Sequence, residues 1–328
     1  MSAKRSVCLA LTAAWGFLAA AGCTSDAGDR GAAATSVPQT PVGVVVASAT
    51  PQEPEGTPMS GTPTPTAPPA VATTGAPLAA YVPDLALGTL LEELVGESWQ
   101  SYAVYVKNLS DGTGASVNPD RVYRAASLFK LYVMWEAFRQ ESVGLIRFDE
   151  TMEVTPYYKS WELGTNAVEV GDLVTVEEAL RLMISISDTP SGVLLQDRLG
   201  FANVNTALEG LGIHNSGLFY PGDPVATARD IGVLLEAIAG GSILPNDAHD
   251  AMVALLTSSG IDYGLRAGVP AAVAVAHKTG SLETALHDAG VVFAPGGTYV
   301  IVILWDREGD ANLIEAISRL VYDYYEES

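Results

Sequence analysis

Ser127 and Lys130 stand three residues apart in Ser127-Leu128-Phe129-Lys130, at the start of a predicted helix. Residues at that spacing share one helix face, so hydroxyl and amine become neighbours. A serine hydroxyl attacks a carbonyl only when a base removes its proton, and an amine serves once burial or positive neighbours lower its pKa. The helix N-terminus adds backbone N–H groups that stabilise developing negative charge. Ser-x-x-Lys arises often by chance, but the chain has only five lysines: Lys4, Lys107, Lys130, Lys159 and Lys278. A second of them opens Lys278-Thr279-Gly280-Ser281, and Ser187-Asp188-Thr189 lies between the two. Taken singly, Ser187 also reads as a polar helix-end residue and Lys278 as an edge-strand charge.

These groups need elements to hold them. Asp84 is placed to cap a helix running to about Glu97, with Leu87, Leu90, Leu91, Leu94 and Val95 on one face. Tyr102 to Lys107 alternates as a strand, and Asn108 to Gly114 reads as a turn. A helix is predicted from Ser127 to about Gln140. Residues 176–239 are helical in pattern, broken at Pro190, Gly200, Gly210 to Gly212 and Pro221 to Pro224. Ala271 to Ala276, Ala289 to Ala294 and Tyr299 to Trp305 are strand-like, so Lys278 is expected just beyond a strand. A last helix covers about Ala311 to Tyr325. Strands near both ends with helices between them predict a mixed α/β (α+β) domain whose sheet is assembled from the two ends.

Together and in this order, the three motifs resemble the signature set of class A β-lactamases and penicillin-binding proteins. Arg124-Ala125-Ala126-Ser127-Leu128-Phe129-Lys130, Leu173 to Leu195, and Leu265-Arg266-Ala267-Gly268-Val269-Pro270 are similar to class A sequences too. The resemblance covers about residues 84–328. It implies an antiparallel sheet beside an all-helical lobe. It implies that Ser127 is acylated by a β-lactam or an acyl-D-alanine carbonyl, with Lys130 as proton acceptor or its partner. Ser187 would relay a proton to the leaving nitrogen, and Lys278 would supply positive potential. Thr279 would bind the substrate carboxylate, with Gly280, Ser281 and Thr189 lining the substrate. Backbone N–H groups of Ser127 and Ser281 would form the oxyanion hole. Arg266 would help hold the carboxylate or form a structural contact. No cofactor or metal is implied.

Two departures stand out. Class A enzymes carry Asn where this chain has Thr189, and Thr offers one hydroxyl in place of an amide. They also place a Glu on the loop after the helical region to activate the deacylating water. Here His214 to Thr227 contains no Glu, and its only acid is Asp223. Asp223 reads chiefly as a turn carboxylate, His214 is a minor candidate base, and Glu162 lies elsewhere. The expectation is a β-lactam hydrolase with slow turnover. The alternatives are a D-alanyl-D-alanine peptidase acting on peptidoglycan stem peptides, and a cell-wall binding module whose catalysis has lapsed.

Residues 1–22 read as a signal peptide: Lys4 and Arg5, then an apolar run from Val7 to Ala21. Ala20-Ala21-Gly22-Cys23 resembles the bacterial lipobox, with Ala20 where a larger aliphatic is usual, and implies a lipid on Cys23. Residues 23–80 hold ten of the nineteen prolines and read as a disordered stalk, reaching on the order of 150 Å at ~3.1 Å per residue. The folded domain is expected at residues 81–328, exported, anchored to the membrane only by lipid, and monomeric. Cys8 and Cys23 are the only cysteines, so this domain has no disulfide and no thiol chemistry. A net charge of −21 disfavours nucleic acid. No Gly-x-Ser-x-Gly elbow is present, and the four histidines are scattered without metal-ligand spacing.

Overall fold

The computed structural model describes residues 79–163, 166–219, 222–240, 243–306 and 311–327. The signal segment, Cys23 and nearly all of the stalk lie outside the described residues. The chain enters through β1 (Val82–Pro83) and α1 (Leu85–Val95). Asp84 caps α1, its Oδ1 accepting from the N–H groups of Ala86 and Leu87. Leu87, Leu91 and Val95 are buried, whereas Leu90 is exposed, so the buried stripe is narrower than the sequence suggests. β2 (Tyr102–Asn108), β3 (Thr113–Val117) and β4 (Tyr123–Arg124) follow.

The central helix α2 (Phe129–Ser142) begins two residues later than expected, because Ser127 sits in a preceding 3-10 turn (Ala126–Leu128). Eleven of its fourteen residues are buried, which makes α2 the axis of the helical lobe. After β5 (Thr151–Glu153), α3 (Pro156–Lys159) and β6 (Leu173–Thr175) come α4 (Val176–Ser185), α5 (Thr189–Leu199) and α6 (Phe201–Gly210). Then β7 (Val225–Ala226) pairs with β4, and α7 (Ala228–Gly240) and α8 (Asn246–Thr257) lead to the last strands. These are β8 (Ala274–Leu282), β9 (Ala285–Ala294) and β10 (Gly297–Trp305), followed by α9 (Ala311–Glu327).

Among the described residues, six strands form one sheet in the order β1-β3-β2-β10-β9-β8. All neighbours are antiparallel except the short β1–β3 pair. The N-terminal strands and the C-terminal hairpins meet at the β2–β10 seam, as the sequence order implied. One face of the sheet packs on α1 and α9 through Leu87, Leu91, Ile314, Ile317 and Val321. The other packs on the helical lobe through Ala276, Ala289, Val291, Val300 and Val302. β8 is an edge strand, and it runs through Lys278-Thr279-Gly280-Ser281 rather than ending before it. The motif is therefore held by cross-strand pairing with β9, Lys278 opposite Ala289 and Thr279 opposite Asp288.

Leu131 is fully buried on α2, one residue beyond Lys130. Leu131→Ala is expected to cost about 2–5 kcal/mol of stability, because the lobe cannot collapse fully around the lost side chain. Urea denaturation with an unchanged m-value would check this.

Candidate active site

Four motif side chains converge where α2, the α4–α5 corner and β8 meet. Lys130 Nζ lies 3.1 Å from Ser127 Oγ, 3.2 Å from Ser187 Oγ and 3.3 Å from Thr189 Oγ1. It also donates to the Ser187 carbonyl oxygen at 2.6 Å. Lys278 Nζ reaches the same Ser187 hydroxyl from the sheet side at 3.0 Å and donates to the Thr279 carbonyl oxygen at 2.9 Å. The result is a continuous path Ser127–Lys130–Ser187–Lys278, with both amines fully buried.

Backbone strain holds both hydroxyls. Ala126, just before Ser127, has φ 47°, and Ser187 has φ 62°. Non-glycine residues in this region cost of order 1–3 kcal/mol each and persist only where surrounding contacts fix them. At the Ser187 corner the fixing group is Asp188, fully buried. Its Oδ1 caps α5 by accepting from Ser191 N–H, and its Oδ2 accepts from Ala167 N–H, both at 2.8 Å. At the Ser127 turn it is close packing on β8: a Cβ on Gly280 would lie 3.2 Å from the Ala125 carbonyl oxygen and from the Ala126 Cβ. Behind it, His287 Nε2 donates to the Arg124 carbonyl oxygen at 2.8 Å.

Electrostatics then divides the two lysines. Burial, then the nearby charge of Lys278, holds Lys130 well below the ordinary lysine range, against a smaller opposing pull from Asp188. Burial also lowers Lys278, to about 8, while the Asp288 carboxylate pulls the other way. Lys130 is thus the amine prepared to be neutral, with a lone pair available to the Ser127 O–H, and Lys278 the one that keeps its charge. A neutral amine beside a hydroxyl at 3.1 Å has the geometry of a general base.

Other sequence candidates fall differently. Thr189 is buried, with its hydroxyl within hydrogen-bond reach of Lys130 Nζ. Thr279 is buried in β8, and Ser281 is exposed at the strand's far end. Arg266 does not join the cluster, and of its two readings the structural contact matches the geometry. Its guanidinium donates to the Pro270 and Ala271 carbonyl oxygens, before the start of β8 and away from Lys278. Asp223 is exposed and paired with Arg124 at 2.9 Å. Glu162 pairs with Lys159, and His214 is exposed. His277 and Asp288, outside the sequence motifs, form a buried pair beside Lys278. Their adjacency to the Lys278 motif was visible, but their contact depends on the β8–β9 register.

Because Lys130 must be neutral and Lys278 charged, acylation should have a bell-shaped pH profile. Its alkaline limb is expected near pH 8, as Lys278 loses its proton. Lys278→Arg, which stays charged at any accessible pH, should remove that limb; stopped-flow acylation rates across pH would show it.

The profile of the Beta-lactamase enzyme family matches residues 86–325. No curated protein matches the chain. Among solved structures, PBP-A superposes with a TM-score of 0.72 at 26% identity, covering 77% of this chain and 100% of that one. A point mutant of PBP-A, solved as an acyl-enzyme complex with penicillin G, gives 0.71 at 28% identity, covering 76% and 100%. A beta-lactamase from Sphaerobacter thermophilus shares the fold, with a TM-score of 0.66 at 22% identity over 75% of this chain and 99% of that one. With the motifs assembled on this fold and the profile spanning nearly the whole described domain, the chain belongs to the beta-lactamase enzyme family of serine hydrolases.

Proposed function

We propose that this protein is acylated at Ser127 by β-lactams and hydrolyses them slowly. The observation that carries this reading is the Ser127–Lys130–Ser187–Lys278 hydrogen-bonded path. Lys130 takes the Ser127 proton as Oγ attacks the lactam carbonyl, and the oxyanion is received by the backbone N–H groups of Ser127 and Ser281. When the C–N bond breaks, the proton passes from Lys130 through the Ser187 hydroxyl to the departing nitrogen. Lys278 and Thr279 face the substrate carboxylate. The penicillin acyl-enzyme described for a PBP-A mutant supports a penicillin as ligand.

Release of the acyl group needs a base aimed at a water on the ester. Asp223 is paired with Arg124 and Glu162 with Lys159, so each carboxylate has a partner other than a water on the ester. This favours long-lived acylation, and it equally suits a peptidase cleaving D-alanyl-D-alanine ends of stem peptides, the second reading. We also infer from residues 1–23 that the protein is exported and lipidated at Cys23. The described residues contain no helix long and apolar enough to cross a membrane.

Intact-protein mass spectrometry after mixing with penicillin G separates the outcomes. The expected result is an adduct on the native protein, absent in Ser127→Ala, that persists for minutes. Loss of the adduct faster than about 1 per second, within the range of ordinary enzymes, would contradict slow deacylation. No adduct would favour the lapsed binding module. Release of D-alanine from a synthetic stem peptide would favour the peptidase.

A further inference from the structure

Behind the active site, the segment 258–265 joins its two halves. On the helical side, Gly260 N–H donates to the Ser185 carbonyl oxygen at 3.2 Å, two residues before Ser187. On the sheet side, Leu265 N–H donates to Asp288 Oδ2 at 2.8 Å. Gly264, φ 65°, lies so close that a Cβ there would sit 2.4 Å from the same oxygen. The third tie is His277, immediately before Lys278. Its Nδ1 is 2.9 Å from Asp288 Oδ1, and its Nε2 is 3.3 Å from the Ile261 carbonyl oxygen. His277 and Asp288 are each about 1% exposed.

Both ring nitrogens of His277 thus face acceptors. A neutral imidazole has one N–H and satisfies one of them; an imidazolium satisfies both. His287 makes a useful contrast. Its Nδ1 accepts from Trp305 N–H and its Nε2 donates to Arg124, which fixes a neutral tautomer. For His277, burial favours the neutral ring, but the Asp288 charge and hydrogen bond outweigh it and raise the pKa above 6.5. The charged groups around the ring are Asp288 on β9, Lys278 beside it on β8, and Asp262 and Arg266 across a small groove.

We propose that His277, held as an imidazolium between Asp288 and Ile261, is a positioning residue that ties segment 260–265 to the strand of Lys278. It thereby sets the distance between Lys278 on the sheet and Ser187 on the helical lobe. The proposal rests on the acyl-transfer reading of the Ser127 site. His277 touches no substrate; it acts through Lys278.

His277→Ala removes both ties, and His277→Gln keeps two amide N–H donors without charge or titration. With a fluorescent penicillin, His277→Ala is expected to slow acylation about 10-fold or more, as a misplaced reactive group does. His277→Gln should recover most of that loss at neutral pH. Equal impairment in both variants would overturn the proposal. Should the variants fail to fold, nitrogen-15 NMR of the native histidine rings decides. An imidazolium with two protonated nitrogens at pH 7 supports the proposal, and a neutral His277 ring overturns it. A neutral ring in a protein that acylates normally sinks only the positioning role, whereas no adduct on the native protein sinks the acyl-transfer reading itself.

Discussion

Two buried amines share one hydroxyl, and the rest of the site is arranged around that fact. Lys130 and Lys278 lie 3.2 and 3.0 Å from Ser187 Oγ, so their nitrogens are at most about 6 Å apart. Two positive charges at that separation repel by about 3 kcal/mol at an effective dielectric constant near 20, enough to weaken one partner's proton affinity about a hundredfold. Burial weakens both further. The pair titrates as a unit, and the surroundings decide where the proton is missing. Asp288 attracts the proton on Lys278. Asp188, the anion nearest Lys130, has its two oxygens occupied by the N–H groups of Ser191 and Ala167. A neutral Lys130 beside Ser127 and a charged Lys278 toward the sheet follow from that asymmetry.

The fold supplies the asymmetry by bringing the lysines from separate layers. Lys130 rides on α2, the axis of the helical lobe, and Lys278 on β8, the edge of the sheet. Ser187 sits on the corner between α4 and α5, where a strained φ turns its carbonyl and hydroxyl toward Lys130. Among the described residues, the edge position of β8 leaves one side of the Lys278 motif free of a neighbouring strand. Gly280 lets the Ser127 turn pack directly against that strand. Each strained residue is held by a buried polar group or by close backbone packing, which makes the site rigid before any ligand arrives.

Much of this was legible in the chain. Lysine is so scarce that two of five falling in ordered motifs carried information, and the strand–helix–strand order foretold a sheet closed from both ends. Asp84 as a helix cap could be read from residue type alone. The details that failed were tertiary. Leu90 fits the apolar stripe of α1, yet the sheet covers a narrower arc. Ser127 looks like the first helical residue, but packing of Ala125 and Ala126 against Gly280 holds it in a tighter turn. Lys278 reads as lying past a strand because Lys and Gly are depleted in strands, while pairing with β9 extends β8 through the motif. β3 and α8 gave no distinct signal. For Arg266 the sequence left a carboxylate anchor and a structural contact open, and the loop geometry turns it onto backbone carbonyls.

The central claim is the protonation state of Lys130, and it can be read directly. Selective isotopic labelling of lysine leaves at most five side chains in the NMR spectrum. The account expects one ε-methylene resonance to report a neutral amine at pH 7 and to vanish in Lys130→Arg. If every lysine instead stays charged to about pH 10, as free lysine does, the general-base role of Lys130 is contradicted.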